Sequence, residues 1–90
     1  MKFSLTPRLT KQIRKIKQTN PQLQQKIQKQ LLLFNQDHRH ISLQNHKLRG
    51  KLNDVWSISI ESNLRILYYV RENEAVFFLL GNHDEVYGKS

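Results

Sequence analysis

The sequence predicts an α+β domain in which a helical hairpin packs on a small, largely antiparallel sheet. Two observations predict this architecture. In the first half, apolar residues recur at the spacing of amphipathic helices; in the second half, three runs rich in β-branched and aromatic residues are separated by short polar breaks. Short breaks between neighbouring runs favour antiparallel pairing. We therefore expect the element order β-α-α-β-β-β in a single domain spanning residues 1–90.

Residues 2–5 form a short predicted strand, and each helix that follows begins at a polar residue and a proline. Thr6-Pro7 and Asn20-Pro21 place a side-chain acceptor at the cap and a proline at the first helical position, where its missing N–H costs nothing. Apolar stripes then follow, at Leu9, Ile13 and Ile16 and at Leu23, Ile27, Leu31 and Phe34. We expect two antiparallel helices joined at Thr19-Asn20, the second ending near Asn35.

The three apolar runs define the rest of the sheet. Trp56, Ile58 and Ile60 alternate with serines, which predicts a strand whose buried face includes Trp56. The runs Leu64–Val70 and Ala75–Leu80 are apolar on both faces, so we expect them to be central, with the helices covering one side.

The connection between the helices and these runs, residues 36–54, is polar and long. A connection of this length in a compact domain usually has a function or contains an additional strand. Ile41–Leu43 is the candidate for that strand.

Positive charge is concentrated in the first half of the chain. Residues 1–51 contain 12 Lys and Arg against one acidic residue, Asp37, for a net +11, whereas residues 52–90 contain three against six, for −3. The basic half predicts a polyanionic partner such as RNA, DNA or an acidic protein, although a solvated lysine-rich helix would carry the same charge. The chain has no cysteine and no apolar run near the roughly 18 residues of a membrane span. We expect a soluble, cytoplasmic protein that binds no membrane.

Arg65 is the residue most indicative of function, because it interrupts an otherwise apolar strand. An unpaired guanidinium at such a position would be costly, so Arg65 is expected to face a cleft or to meet a partner charge. A structural salt bridge to Asp54, Glu61 or Asp84 is the alternative to a functional role. Guanidinium groups grip phosphate in a bidentate manner and stabilise the extra charge of a phosphoryl transition state.

Two histidines and a tyrosine are further candidates for chemistry. His46 opens a basic loop, and His83 and Tyr87 follow the last strand, four residues apart, on one face if that tail forms a helical turn. Imidazole ionises near neutral pH and is therefore suited to proton transfer. The alternatives are a loop histidine bonded to the backbone for His46 and a plug packed over the sheet for Tyr87. Two histidines with one intervening residue at 38 and 40 are a weak metal signal, and we expect neither a metal nor a cofactor.

The element order resembles that of the RelE/ParE superfamily of bacterial toxins, as do three motifs: His46-x-Leu-x-Gly50, Leu64-Arg-Ile-Leu-Tyr68 and Gly81-x-His-x-x-x-Tyr87. Within that superfamily the chain is most similar to the YafQ/RelE-type ribonuclease branch, over nearly its whole length. The resemblance implies a RelE-like fold, a cognate antitoxin as partner, and metal-independent cleavage of mRNA in the ribosomal A site.

The resemblance also implies roles for individual residues. His46 would act as general base, Arg65 would stabilise the transition state, His83 would act as general acid toward the leaving 5′-oxygen, and Tyr87 would stack a base or orient the phosphate. The three cations of the basic loop, Lys47, Arg49 and Lys51, are expected to contact RNA phosphates of the message and the ribosome.

The sequence departs from the family pattern at two positions. Ser59 and Asn63 stand where the YafQ branch tends to carry further His and Asp side chains, and neither can serve as a base near neutral pH. Two other functions therefore stay open: a ParE-like inhibitor that binds DNA gyrase without acid–base chemistry, and a degenerate domain that only binds RNA or an antitoxin.

Overall fold

The computed structural model describes residues 1–48 and 54–82. Within them, two α-helices pack on a five-stranded mixed sheet, so the predicted α+β class is confirmed. The elements in chain order are β1 (Phe3–Leu5), α1 (Pro7–Thr19), α2 (Pro21–Gln36), β2 (His46–Lys47), β3 (Trp56–Glu61), β4 (Leu64–Arg71) and β5 (Glu74–Asn82). Neither α-helix combines the length and apolarity needed to cross a membrane.

Both helices begin where their local signals predict. The Thr6 side chain accepts a hydrogen bond from the Leu9 backbone N–H (3.2 Å), and the Asn20 side chain accepts one from Leu23 N–H at the same distance. Each cap satisfies one of the N–H groups that a helix start leaves without an intrahelical acceptor. The second helix runs one residue beyond Asn35, to Gln36.

The strands are ordered β1-β5-β4-β3-β2. The pairs β2–β3, β3–β4 and β4–β5 are antiparallel, whereas β1 pairs with β5 in parallel, which makes the sheet mixed. The strand β4 is therefore central, and β5 lies between β4 and β1, which confirms the interior position expected for the two runs that are apolar on both faces.

The connection between α2 and β3 contains an additional strand, as predicted, but at a different position. Ile41–Leu43 is a 3₁₀ turn, and the strand is β2, which pairs with β3. The turn forms because the His40 ring accepts the Ser42 N–H (3.1 Å) and the Gln44 N–H bonds the Ile41 carbonyl (3.1 Å). Leu43 is buried while Ile41 is 87% exposed, so the two residues do not share the buried face that a strand would give them.

The main core lies between the helices and one face of the sheet. Its centre is aromatic: Phe34 of α2 meets Tyr68 of β4 and Phe77 of β5 edge to face, with ring centroids 5.1 Å apart in each case, and the Tyr68 and Phe77 rings are tilted against each other at 5.0 Å. Trp56 packs against this core and stacks on Tyr68, as its alternation with serines predicts. Among the described residues, the opposite face of the sheet carries a small apolar cluster around Leu48 and Leu67.

Candidate functional site

Arg65 lies on the face of the sheet opposite the helices. Its neighbours Leu64 and Ile66 belong to the core beneath the helices, and side chains alternate along a strand. The cross-strand partners of Arg65 are Ser59 and Gly81, whose side-chain positions share its face. Serine and glycine are both small, so neither of these two cross-strand partners covers the arginine side chain.

The neighbouring set of cross-strand pairs places a histidine that is distant in the sequence on the same face. His46 of β2 pairs with Ser57 of β3, which in turn pairs with Leu67 of β4. This register places His46 beside Arg65 although 19 residues separate them, and the distance from His46 Nδ1 to Arg65 Nη2 is 3.4 Å. The structure thus brings together two of the four residues that the sequence singled out for chemistry.

The guanidinium of Arg65 is held by oxygen atoms from two directions. Its Nε donates to Ser57 Oγ (2.8 Å), and its Nη2 donates to the backbone carbonyls of Gln44 (2.6 Å) and Ser57 (3.2 Å). These three acceptors, one side-chain hydroxyl and two backbone carbonyls, fix the orientation of the guanidinium. The residue is only 6% exposed, and Glu61, one of its expected partner charges, pairs with Lys26 at 3.2 Å.

The position of His46 defines which ring nitrogen carries the proton. Its Nδ1 lies 3.0 Å from the Gln44 carbonyl oxygen, and a carbonyl oxygen can only accept. Arg65 Nη2, which can only donate, lies farther from Nδ1, at 3.4 Å, so the shorter contact with the carbonyl favours the tautomer with the proton on Nδ1 and the basic lone pair on Nε2. His46 is exposed to solvent, whereas Arg65 is buried. The Gln44 carbonyl oxygen is therefore within hydrogen-bond distance of both side chains.

The remaining predicted site residues are placed as follows. Lys47 is exposed on the edge strand β2 and pairs with Trp56, so it lies on the other face of the sheet from Arg65. His83, Tyr87, Arg49 and Lys51 lie outside the described residues.

Two residues that hold Arg65 were not singled out by the sequence. Ser57 is a completely buried polar residue. The alternation of serines in its strand marks the face on which Arg65 lies, and this was the available signal. Gln44 acts through its backbone carbonyl, a group that every residue has, so no side-chain pattern could have found it.

Tyr68 lies on the helix side of the same strand and reaches the segment that carries His46. Its hydroxyl donates to the Asn45 side-chain oxygen (2.8 Å). Burial raises the pKa of the Tyr68 phenol above its ordinary value of 10.0. The neutral phenol is therefore the form that the folded state favours.

This raised pKa predicts a loss of stability at alkaline pH. The stabilising contribution of the neutral phenol is complete below the pKa of the unfolded state, near 10.0. It is lost as pH rises through the higher pKa of the folded state. Relative to Tyr68→Phe, the parent protein is expected to show a steeper fall in the free energy of unfolding above that pH, measured by urea titration at several pH values. Tyr69→Phe, at an exposed position of the same strand, is the control and is expected to keep the parent slope. Equal slopes for the parent and Tyr68→Phe would contradict the prediction.

Comparison with known proteins gives no match among curated sequences but clear matches to solved folds. The YoeB/ParE toxin from Agrobacterium tumefaciens superposes with a TM-score of 0.76 at 18% identity, covering 92% of this chain and 99% of that chain. YafQ in the E. coli DinJ–YafQ complex gives 0.72 at 12% identity, covering 96% and 97%. YoeB in the heterotetrameric YoeB–YefM toxin–antitoxin complex from Staphylococcus aureus gives 0.73 at 18% identity, covering 92% and 97%.

These structures share the fold of the chain, and a sequence-based match shows its family. The model of the YafQ family, described as bacterial toxins of type II toxin–antitoxin systems, matches residues 1–88. The chain therefore belongs to the YafQ family of type II toxins.

Proposed function

We propose that this toxin is a ribosome-dependent endoribonuclease that cleaves mRNA by attack of the substrate's own ribose 2′-OH. The supporting observation is the pair on the sheet face opposite the helices: a buried arginine, whose guanidinium donates to Ser57 and to the Gln44 carbonyl, lies 3.4 Å from an exposed imidazole. Because the nucleophile belongs to the substrate, the protein has only to supply orientation, proton transfer and charge stabilisation. The few groups of a small domain are sufficient for these tasks.

In the proposed reaction, His46 Nε2 takes the proton of the 2′-OH. The 2′-oxygen bonds to the adjacent phosphorus, and the bond from phosphorus to the 5′-oxygen breaks, which leaves a 2′,3′-cyclic phosphate and a 5′-OH. Arg65 faces the negative charge that builds on the phosphoryl oxygens of the pentavalent transition state. By family resemblance, His83 donates the proton to the leaving 5′-oxygen, and Tyr87 stacks a base or orients the phosphate.

The imidazole is the member of the pair that an RNA strand can reach directly. His46 is exposed, whereas Arg65 is buried although its flanking neighbours Ser59 and Gly81 are small. Lys47, Arg49 and Lys51 contact phosphates of the message or of ribosomal RNA in this proposal, which makes binding dependent on salt. The ribosome positions the message, so the activity takes place in the cytoplasm.

A cognate antitoxin is the second proposed partner. The similar YafQ and YoeB proteins are seen in complexes with DinJ and YefM. The net charge of +8 favours an acidic partner segment that covers the face bearing Arg65 and His46. Such a segment would bind only the folded toxin and would therefore stabilise it by mass action.

The cleavage proposal is tested by adding the purified protein to a translating extract with a defined mRNA and mapping RNA 5′ ends by primer extension. Cuts confined to the A-site codon, with 5′-OH ends, are expected. The same mRNA without ribosomes is the control and is expected to stay intact. Intact mRNA with normal translation would refute the proposal. A gyrase supercoiling assay would then separate a ParE-like inhibitor from a domain that only binds RNA or an antitoxin.

A further inference from the structure

Asn45 connects the segment that carries His46 to two other parts of the fold. Its side-chain nitrogen donates to the His38 carbonyl in the turn after α2 (3.0 Å), and its side-chain oxygen accepts from the Tyr68 hydroxyl (2.8 Å). Tyr68 is buried in the aromatic core. The Asn45 side chain is thus held between the end of a helix and the central strand.

The residue before it has a backbone conformation that needs such support. Gln44 adopts the left-handed conformation, with φ 45° and ψ 47°. That conformation is unfavourable for a residue with a Cβ, because the Cβ comes too close to a carbonyl oxygen. It persists only where the surroundings over-determine it, and such sites often carry function. Here it directs the Gln44 carbonyl toward both Arg65 Nη2 and His46 Nδ1.

We propose that Asn45 is a positioning residue of the site, acting through Tyr68 and the His38 carbonyl. By holding Gln44 in its left-handed conformation, it keeps one carbonyl within hydrogen-bond distance of both the guanidinium and the imidazole, and so maintains the proton on His46 Nδ1. The part of this inference that concerns rate rests on the proposed ribonuclease activity, whereas the part that concerns the imidazole proton does not.

Asparagine is suited to this role because it offers an acceptor and a donor at fixed separation. The Tyr68 phenol needs an acceptor, and the His38 carbonyl needs a donor. Asn45→Asp keeps the shape and the acceptor but replaces the donor with a second oxygen, which repels the His38 carbonyl. Tyr68→Phe keeps the bond to His38 and removes the other one. The two variants therefore test each half of the connection separately.

Loss of the Asn45 side chain is expected to disturb the site more than the fold. The side chain borders an open cavity of about 610 Å³, whose wall includes Gln44, Trp56 and Tyr68. Water entering from this cavity can accept the Tyr68 hydroxyl hydrogen, so truncation does not leave the phenol buried without an acceptor. The Gln44 backbone, by contrast, loses the connection that holds its carbonyl in place.

The first experiment measures cleavage in the ribosome-containing extract at saturating and limiting ribosome concentrations. Misplacement of a reacting group by about 1 Å costs on the order of 100-fold in rate, so Asn45→Ala is expected to lower kcat by roughly 10- to 100-fold with little change in KM. Asn45→Asp and Tyr68→Phe are expected to give smaller losses. The matched control is Asn35→Ala, which removes an exposed asparagine bonded to the Met1 carbonyl and is expected to cleave like the parent.

The second experiment reads the imidazole directly and does not require activity. Long-range ¹H–¹⁵N spectra at mildly alkaline pH, with His46 assigned from its loss in His46→Gln, are expected to show a protonated Nδ1 in the parent and in Asn35→Ala. In Asn45→Ala the two ring nitrogens are expected to shift toward each other as the tautomers mix. An unchanged tautomer in a folded Asn45→Ala protein would overturn the inference, whatever its rate. Mixed tautomers in Asn45→Ala, together with a parent protein that keeps the Nδ1 proton but does not cleave, would support the positioning role and refute the ribonuclease.

Discussion

Arg65→Ala is expected to lower the rate of mRNA cleavage by about 10³-fold, which corresponds to roughly 4 kcal/mol of transition-state stabilisation. The guanidinium is oriented by Ser57 and by the Gln44 carbonyl before any substrate arrives, so its charge requires little reorganisation during reaction. Arg65→Lys retains a charge but not the planar fork, and is expected to recover only a small part of the rate. The rates are measured by primer extension in the translating extract.

Folding must be separated from catalysis in this experiment, because Arg65 is buried and its removal leaves the Gln44 and Ser57 carbonyls without that donor. The cost to stability is expected to be about 1–3 kcal/mol, which circular dichroism and urea titration would measure. Arg71→Ala, at the exposed end of the same strand, makes the same change in net charge and is expected to cleave normally. A folded Arg65→Ala protein that cuts mRNA at the parent rate would show that the site is assigned wrongly.

Phe34→Ala is expected to lower the free energy of unfolding by about 3–5 kcal/mol. Phe34 is 0% exposed and meets Tyr68 and Phe77 with ring centroids 5.1 Å away in each case. Its removal leaves a cavity at the point where α2 crosses the sheet. Since small domains are stable by only about 5–15 kcal/mol, a substantial unfolded population is expected. Equilibrium urea unfolding is the measurement.

The matched control for this core substitution lies on the same helix. Leu32 is 54% exposed, so Leu32→Ala is expected to change the free energy of unfolding by less than about 1 kcal/mol. Phe34→Leu, which retains part of the buried area, is expected to fall between the two. Equal losses for Phe34→Ala and Leu32→Ala would mean that the aromatic cluster does not determine the stability of the core.

Much of the fold was predictable because its signals are local. The caps at Thr6 and Asn20 are formed by neighbours within three residues, and the alternation of Trp56, Ile58 and Ile60 directly identifies a buried face. The strand β2 was predicted at the wrong place because it is only two residues long. Such a strand exists through its pairing with β3, and no periodicity can be recognised in two residues.

For the candidate site, the sequence indicated which side chains take part but not how they are arranged. A cation in an apolar strand and a histidine in a basic loop are visible in the sequence, and they indicate Arg65 and His46. That the two lie 3.4 Å apart depends on the register of β2, β3 and β4. Ser57 and Gln44, which orient them, follow from the same register and from one left-handed residue.

The sequence by itself determined the α+β class, the order of all the elements except β2, both helix starts and the interior position of β4 and β5, because caps and hydrophobic periodicity depend on neighbours along the chain. Only the tertiary structure decided the parallel pairing of β1 with β5 and the use of one backbone carbonyl by both Arg65 and His46. Backbone donors and acceptors are the same in every residue. Which of them meet is therefore determined by packing over long sequence distances.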